Sequence, residues 1–286
     1  MSSAPPNADG IHQAVPREAM RLGPRKLRDA YTLRPGAGFY QREFGFYSLD
    51  AWRAQGMPQE VPLDELFGFD PPGSCHFAGL GWCDAGFCPG FEEAVIEDRG
   101  EHEVVRDTAG RHVLYFKGRR DGFMPEYLTH PVTDRTTWER DVKWRLDPQS
   151  PERYPEIPAA VEEARALIEQ GALVVQHVIG GYMYLRSLMG PQALLYMFHD
   201  APDLIHDCMQ TWFALADAVT AAHQQYVTFD EVFFAEDICY NHGALISPGM
   251  MREFLFPYYQ QLLTNMKSRQ LDKSRHLFFQ IDTDGF

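Results

Sequence analysis

Two adjacent acids, Glu236 and Asp237, close a short apolar run, Val232-Phe233-Phe234-Ala235. An apolar run of this length reads as a buried strand, and carboxylates at a strand's carboxyl end are where α/β folds place chemistry. A second pair, Asp282 and Asp284, follows the apolar run from His276 to Ile281. His177 lies in a third run, Ala172 to Val178, and Tyr182 and Arg186 follow it closely. If these strands run side by side in one direction, the four acids share one rim with His177, Arg186 and Tyr182. Crowded carboxylates cannot all stay charged cheaply, so at least one is expected to hold a proton near neutral pH. The chemistry implied is general-acid catalysis. Each group also has a plain structural reading. His177 can be a satisfied strand histidine, Arg186 the ion-pair partner of an acid, and Asp282-Thr283-Asp284-Gly285 a turn.

Positioning these groups requires strands alternating with helices, and the second half of the chain has that pattern. A helix is predicted from Pro158 to Gln170, with Val161, Ala164, Leu167 and Ile168 on one face, and Gly171 ends it. A strand follows over Ala172 to Val178, then one or two helical turns from Tyr182 to Met189. A long helix starts at Asp200 and Pro202, with Ile205, Cys208, Trp212, Leu215 and Val219 as its apolar stripe. After the strand ending at Ala235 comes a loop with Tyr240. Ser247 and Pro248 then read as cap and first position of a helix with a kink at Pro257. Such alternation predicts a parallel sheet wrapped by helices.

The first half is less regular. Residues 1–23 read as a loose tail, rich in proline and polar residues, and residues 24–286 as one domain. Short helices are predicted for Pro24 to Leu33, Ser48 to Gln55 and Leu63 to Phe67, and a first strand for Arg42 to Tyr47. The stretch from Asp70 to Gly90 is rich in glycine and proline and reads as a long loop. Its Cys75, His76, Cys83 and Cys88 lack paired Cys-x-x-Cys spacing, so they read as incidental loop residues and no metal site is assigned. Glu92 to Lys117 alternates apolar and polar residues between turns, which predicts an antiparallel meander inserted over residues 70–120.

The 286 residues carry a formal net charge of −14. A general basic surface for nucleic acid is therefore absent, although a few convergent arginines could still hold an anionic small molecule. Apolar runs fall short of the about 20 residues a membrane helix needs, and no signal-peptide pattern opens the chain. Five scattered cysteines fit a reduced, cytoplasmic protein.

Three segments carry a family resemblance: Ala235 to Leu263, Met124 to Pro148 and His177 to Gly190, with the ending Gln280-Ile281-Asp282-Thr283-Asp284-Gly285-Phe286. They resemble the uroporphyrinogen decarboxylase superfamily, which includes corrinoid- and coenzyme M-dependent methyltransferases. The resemblance runs from about Arg25 onward. It implies a (β/α)8 barrel of the TIM type, with its site at the carboxyl ends of the strands. Only about five of eight such strands can be found, so the barrel is expected to be incomplete at its C-terminus. The decarboxylases' Arg-Gln-Ala-Gly-Arg-Tyr motif stands here as Arg42-Glu43-Phe44-Gly45-Phe46-Tyr47, and their tyrosine before the Gly190-like glycine as Arg186. The zinc methyltransferases' His-x-Cys stands as Asp282-Thr283-Asp284.

The resemblance implies acid-assisted decarboxylation of a porphyrinogen or other polycarboxylate. Glu236, Asp237, Asp282, Asp284 and His177 would act as catalytic groups, and Arg42, Arg186, Tyr182 and Tyr240 would hold substrate. That activity calls for no cofactor. A methyltransferase or O-demethylase is the alternative, with zinc and a corrinoid protein. An inactive, truncated fragment is the third reading. Beyond a small-molecule substrate, the expected partners are a second copy or a corrinoid protein.

Overall fold

The computed structural model describes residues 21–43, 46, 48–120 and 125–283. Most of the 1–23 tail thus lies outside the described residues, as do Asp284 and parts of the 42–47 motif. The first half supplies three short helices, α1 (Leu22–Tyr31), α2 (Leu49–Ala54) and α3 (Leu63–Phe67). Strand β1 (Ser74–Phe77) follows. An antiparallel meander is then formed by β2 (Ala94–Arg99), β3 (His102–Arg106), β4 (His112–Phe116) and β5 (Glu126–Thr129). A short α4 (Arg135–Thr137) runs into a π-helical turn over Trp138–Val142 and a 3-10 turn over Lys143–Leu146.

The second half alternates as its periodicity predicts. It contains α5 (Ile157–Glu169), β6 (Leu173–Ile179), α6 (Gly181–Met189), α7 (Pro191–Asp200), α8 (Pro202–His223) and β7 (Glu231–Ala235). A two-strand hairpin, β8 (Cys239–Tyr240) and β9 (Gly243–Ala244), precedes α9 (Pro248–Met250), α10 (Phe256–Arg269) and β10 (Phe278–Asp282).

The central sheet has the order β1-β6-β7-β10, and every pairing in it is parallel. Four parallel strands are therefore described, against the about five read from sequence. Two expectations need correction here. Arg42, Glu43 and Phe46 belong to no strand. The first parallel strand is β1, inside the stretch expected to be a loop. Only two of the four residues in Ser74-Cys75-His76-Phe77 face the core, which is too few to stand out in a glycine-rich stretch.

Side chains alternate across these strands, and the two faces of the sheet differ. Val174, Val178, Val232 and Phe234 join Trp212 and Leu215 of α8 and Tyr259 and Leu262 of α10 in the main core. Val175, Phe233 and Ala235, on the opposite face, form a small separate cluster. That inner face looks onto a cavity of about 1160 Å³, walled on its far side by residues of α1 and the 33–43 segment.

A buried charge network holds α1 to the sheet. Asp230, immediately before β7, is fully buried and pairs through Oδ1 with Arg28 Nη2 at 3.1 Å and Arg275 Nε at 3.2 Å. Its Oδ2 accepts from the Val174 backbone N–H at 2.9 Å. One carboxylate thus joins α1, β6, β7 and the turn before β10.

Two helix details also differ from expectation. An additional helix, α7, fills the space between Gly190 and Asp200. The expected kink at Pro257 takes the form of a π-helical turn over Met251–Leu255, and the proline sits in the first turn of α10. A π turn accommodates one extra residue before the proline, whose missing N–H leaves the ladder one donor short.

Candidate functional site

Glu236 is the first residue beyond β7, and the strand's alternation sends it toward the helices. Its carboxyl group, 3% exposed at residue level, accepts from the backbone N–H of Tyr182 at 3.3 Å and of Met183 at 3.0 Å. Tyr259 of α10 donates its hydroxyl to the same carboxyl group. An anion at these groups caps the N-terminus of α6. Burial raises the Glu236 pKa to about 7, against the opposing pull of Tyr259 and the two N–H groups. Glu236 is thus inside the core, joining α6, α10 and β7.

The chain passes close by this carboxyl group at Gly180, where an added Cβ would overlap the Glu236 side chain. Gly180→Ala is therefore expected to lower stability by about 2 kcal/mol, the scale of overpacking a filled core. A urea titration reads this as a lower midpoint with unchanged slope.

Asp237 points elsewhere. Its Oδ2 pairs with Arg186 Nη2 at 2.7 Å, both side chains about one-third exposed at the rim. Tyr182, in the first turn of α6, is fully buried, and burial pushes its hydroxyl up to about 12. The hydroxyl is one of the few buried polar atoms with no hydrogen-bond partner. Tyr240 is exposed on the β8–β9 hairpin, edge-on to His242. Arg42 donates to the Asp70 carbonyl at 2.9 Å and pairs with Asp64 at 3.4 Å, while lining the edge of the inner cavity. Asp282 ends β10 on the same face as Gln280, and its carbonyl accepts from the Glu236 N–H at 2.8 Å. Asp284 lies outside the described residues. The four acids are therefore not seen as one cluster: Glu236 faces the core, Asp237 the Arg186 guanidinium, and Asp282 the inner face.

The inner cavity has its own chemistry. His177 on β6 and His76 on β1 face it together, with His177 Nε2 and His76 Nδ1 2.6 Å apart. His76 Nε2 lies 2.9 Å from Ser74 Oγ. Burial pulls the His177 pKa down to about 4, with the His76 charge adding to it, and burial lowers His76 as well. Burial thus favours the neutral form of both rings, and in a neutral pair one ring donates and the other accepts. Trp82, from the loop after β1, stacks on Phe233 at 5.3 Å and 9° and lies 5.1 Å from the His177 ring.

Glu231, at the start of β7, also lines the cavity and is 2% exposed. Burial raises its pKa to about 7, Tyr31 opposes the shift through a hydrogen bond, and the charge of Asp230 adds to it. The Tyr31 hydroxyl oxygen also lies 3.1 Å from Gln280 Oε1, so its single proton is shared between two candidate acceptors. Arg34 and Arg42 stand on the cavity wall. The expected protonatable acid thus has a cavity-facing counterpart, but it is Glu231 and not a member of the 236–237 pair. His76, Glu231, Tyr31 and Trp82 were not singled out as catalytic from sequence. The usable signal was parity: Glu231 is two residues before Phe233 and shares its face.

Among the described residues, no group of three or more His, Cys, Asp or Glu side chains is arranged to hold a metal ion. Cys75 and His76 project to opposite faces of β1, so they cannot ligate one ion together. The donor set that the resemblance implies for zinc, His-x-Cys, stands here as Asp282-Thr283-Asp284, and hard carboxylates do not suit thiol activation. Zinc does not fit the residues described. No helix among them is long and apolar enough to cross a membrane.

No family model matches this chain. No curated protein matches it either. A methyltransferase from Methanosarcina mazei is a structural neighbour at 14% identity and a TM-score of 0.38, over 61% of this chain and 47% of that one. The chain spans about half the length of that protein. At this degree of similarity the comparison assigns neither fold family nor activity. The described residues form an α/β protein with a four-stranded parallel sheet, a four-stranded antiparallel sheet and the β8–β9 hairpin.

Proposed function

We propose that this protein is a small-molecule enzyme which binds a carboxylated, partly apolar substrate over the inner face of its parallel sheet and protonates it from Glu231. The observation that carries this reading is the cavity. It joins a buried acid with a pKa of about 7 to an aromatic wall of Tyr31, Phe39, Tyr40 and Phe233, with Arg34 and Arg42 beside them. An acid with that pKa is half protonated at neutral pH, which suits a proton donor. The guanidinium groups would hold substrate carboxylates. His76 and His177, neutral and hydrogen-bonded, would orient the substrate as donor and acceptor.

Proton delivery of this kind serves decarboxylation, where a pyrrole-type carbon takes the proton and CO2 leaves. It serves ether demethylation equally, where the proton goes to the oxygen as the methyl group departs to a corrinoid. The decarboxylase reading is put first because its step needs only a proton donor and a hold on the substrate carboxylates. A (β/α)8 barrel with β1, β6, β7 and β10 among its strands would place its site at their carboxyl ends, whereas Glu231 opens β7 at its amino end, so this reading rests on the cavity and not on that architecture.

The test is turnover by the purified protein. Release of CO2 from uroporphyrinogen or a simpler polycarboxylated pyrrole, without added metal, is the expected result. Methyl transfer to cob(I)alamin from an aryl methyl ether, with no CO2 release, would replace decarboxylation by the methyltransferase alternative. Failure of any such carboxylated molecule to bind, measured by quenching of the Trp82 region's fluorescence, would remove the proposal.

A further inference from the structure

A second cavity, of about 520 Å³, lies between the antiparallel meander and the turns over Trp138–Val142 and Lys143–Leu146. In a chain of net charge −14, its lining brings together three arginines, Arg106, Arg140 and Arg145, with His112 and His130 beside them, against the single carboxylate of Asp141. We propose that this cavity binds a phosphate-bearing small molecule.

The argument rests on how the three guanidinium groups are held. Arg145 donates from Nε to the Asp141 carbonyl at 3.0 Å and from Nη1 to the Pro89 and Gly90 carbonyls at 3.2 and 2.9 Å. Its guanidinium lies over the Phe91 and Trp144 rings, 4.1 and 4.2 Å from their centroids. Arg106 is fixed through Nε to the Glu92 carbonyl at 2.9 Å. Arg140 is locked on Asp141 by Nε at 2.8 Å and Nη2 at 2.7 Å.

Arg106 and Arg145 are thus held by some of their donors while others remain, and the exposed Arg140 is paired with Asp141 at the rim. Nη1 and Nη2 of Arg106, Nη2 of Arg145 and Nη1 of Arg140 make no hydrogen bond among the described residues. Preorganised donors of one sign favour a ligand of the opposite sign, because the entropy of fixing them has already been lost on folding.

Charge balance points the same way. Burial disfavours the Arg145 cation and the nearby Arg106 adds to this, with only Asp141 opposing. Asp141 is bound directly by Arg140 and also acts on Arg145, so this one carboxylate is shared among the guanidinium groups of the wall. An anion between Arg106 and Arg145 relieves their repulsion. A carboxylate is satisfied by one guanidinium fork, whereas a phosphate offers oxygens to several at once. His112 and His130 add imidazole groups to the wall, and the half-exposed Trp144 ring offers an apolar surface for the remainder of the ligand. The volume is that of an ordinary small-molecule site.

This site is separate from the inner cavity and does not depend on the chemistry proposed there. Calorimetric titration of the whole protein with inorganic pyrophosphate tests it. The expected result is saturable binding that weakens with salt, weakens about tenfold in Arg106→Gln and in Arg140→Gln, and is unchanged in Arg165→Gln on the exposed face of α5. Arg140 is largely exposed, so its variant reports on binding even if the Arg106 variant folds poorly. Absence of saturable binding at millimolar pyrophosphate overturns the proposal. So does equal binding by Arg106→Gln, Arg140→Gln and the unaltered protein.

Discussion

Asp230→Ala is expected to destabilise the protein by about 4 kcal/mol, a large share of the stability of an ordinary domain. The cost does not come from losing favourable contacts alone. Removing the carboxylate leaves Arg28, 2% exposed at its side chain, and Arg275, 10% exposed, without their common counterion. A buried guanidinium cannot escape by losing its proton, so the charge stays and the desolvation penalty is felt in full. The Val174 N–H loses its acceptor as well. Asp230→Asn keeps the shape and one acceptor but not the charge, and should recover only a minor part of the loss. Arg275→Met should cost less than either, because Arg28 still neutralises the carboxylate. Urea midpoints for the three variants check the ranking, and equal stability of Asp230→Ala and the unaltered protein would refute the account.

The network also shows how legibility in the sequence divides along physical lines. Runs that are buried on both sides could be read. β6, with Leu173 to Val175 and Val178 to Ile179, and β7, with Val232 to Ala235, are apolar enough to be recognised without knowing their neighbours. The stripe on α8 was readable for the same reason, since one helix face meets the core. β1 was not readable, because Ser74 and His76 face a cavity and leave only Cys75 and Phe77 to signal a strand. α7 was hidden because Gly190 and Pro191 read as an interruption, whereas Pro191 opens the helix.

The site was legible in its chemistry and less so in its residues. Glu236 and Asp237 read as a pair in the sequence, yet consecutive residues at a strand end point to opposite sides. Parity with Val232 and Phe234 already placed Glu236 toward the helices, where it caps α6. Arg186 was expected either to hold substrate or to pair with an acid, and the pairing with Asp237 is what the structure shows. His76 could be connected with His177 only through the pairing of β1 with β6, which are about a hundred residues apart in the chain, and no local pattern encodes that register.

Glu231 is where these threads meet, and Glu231→Gln has the largest expected effect on activity. If Glu231 is the proton donor, its amide replacement should lower kcat by roughly two to four orders of magnitude, with a much smaller change in KM. On that reading the activity of the unaltered protein falls as pH rises through about 7, because only the protonated acid is competent. That limb should vanish from the residual activity of the variant. Stability gives an independent reading with a defined sign. Burial raises the folded-state pKa from 4.5 to about 7, so the folded protein holds this proton more tightly than the unfolded chain. The resulting stabilisation is complete below the unfolded pKa and is lost as pH rises through about 7. Glu231→Gln carries no ionisation, and should flatten this part of the pH–stability curve by on the order of 2–3 kcal/mol. Glu236, also near 7, contributes a second slope of the same sign, which the variant leaves in place. A flattened stability curve with unaltered kcat would keep Glu231 as a buried acid and remove it as the catalyst. Loss of kcat with the alkaline limb intact would assign the proton to another group.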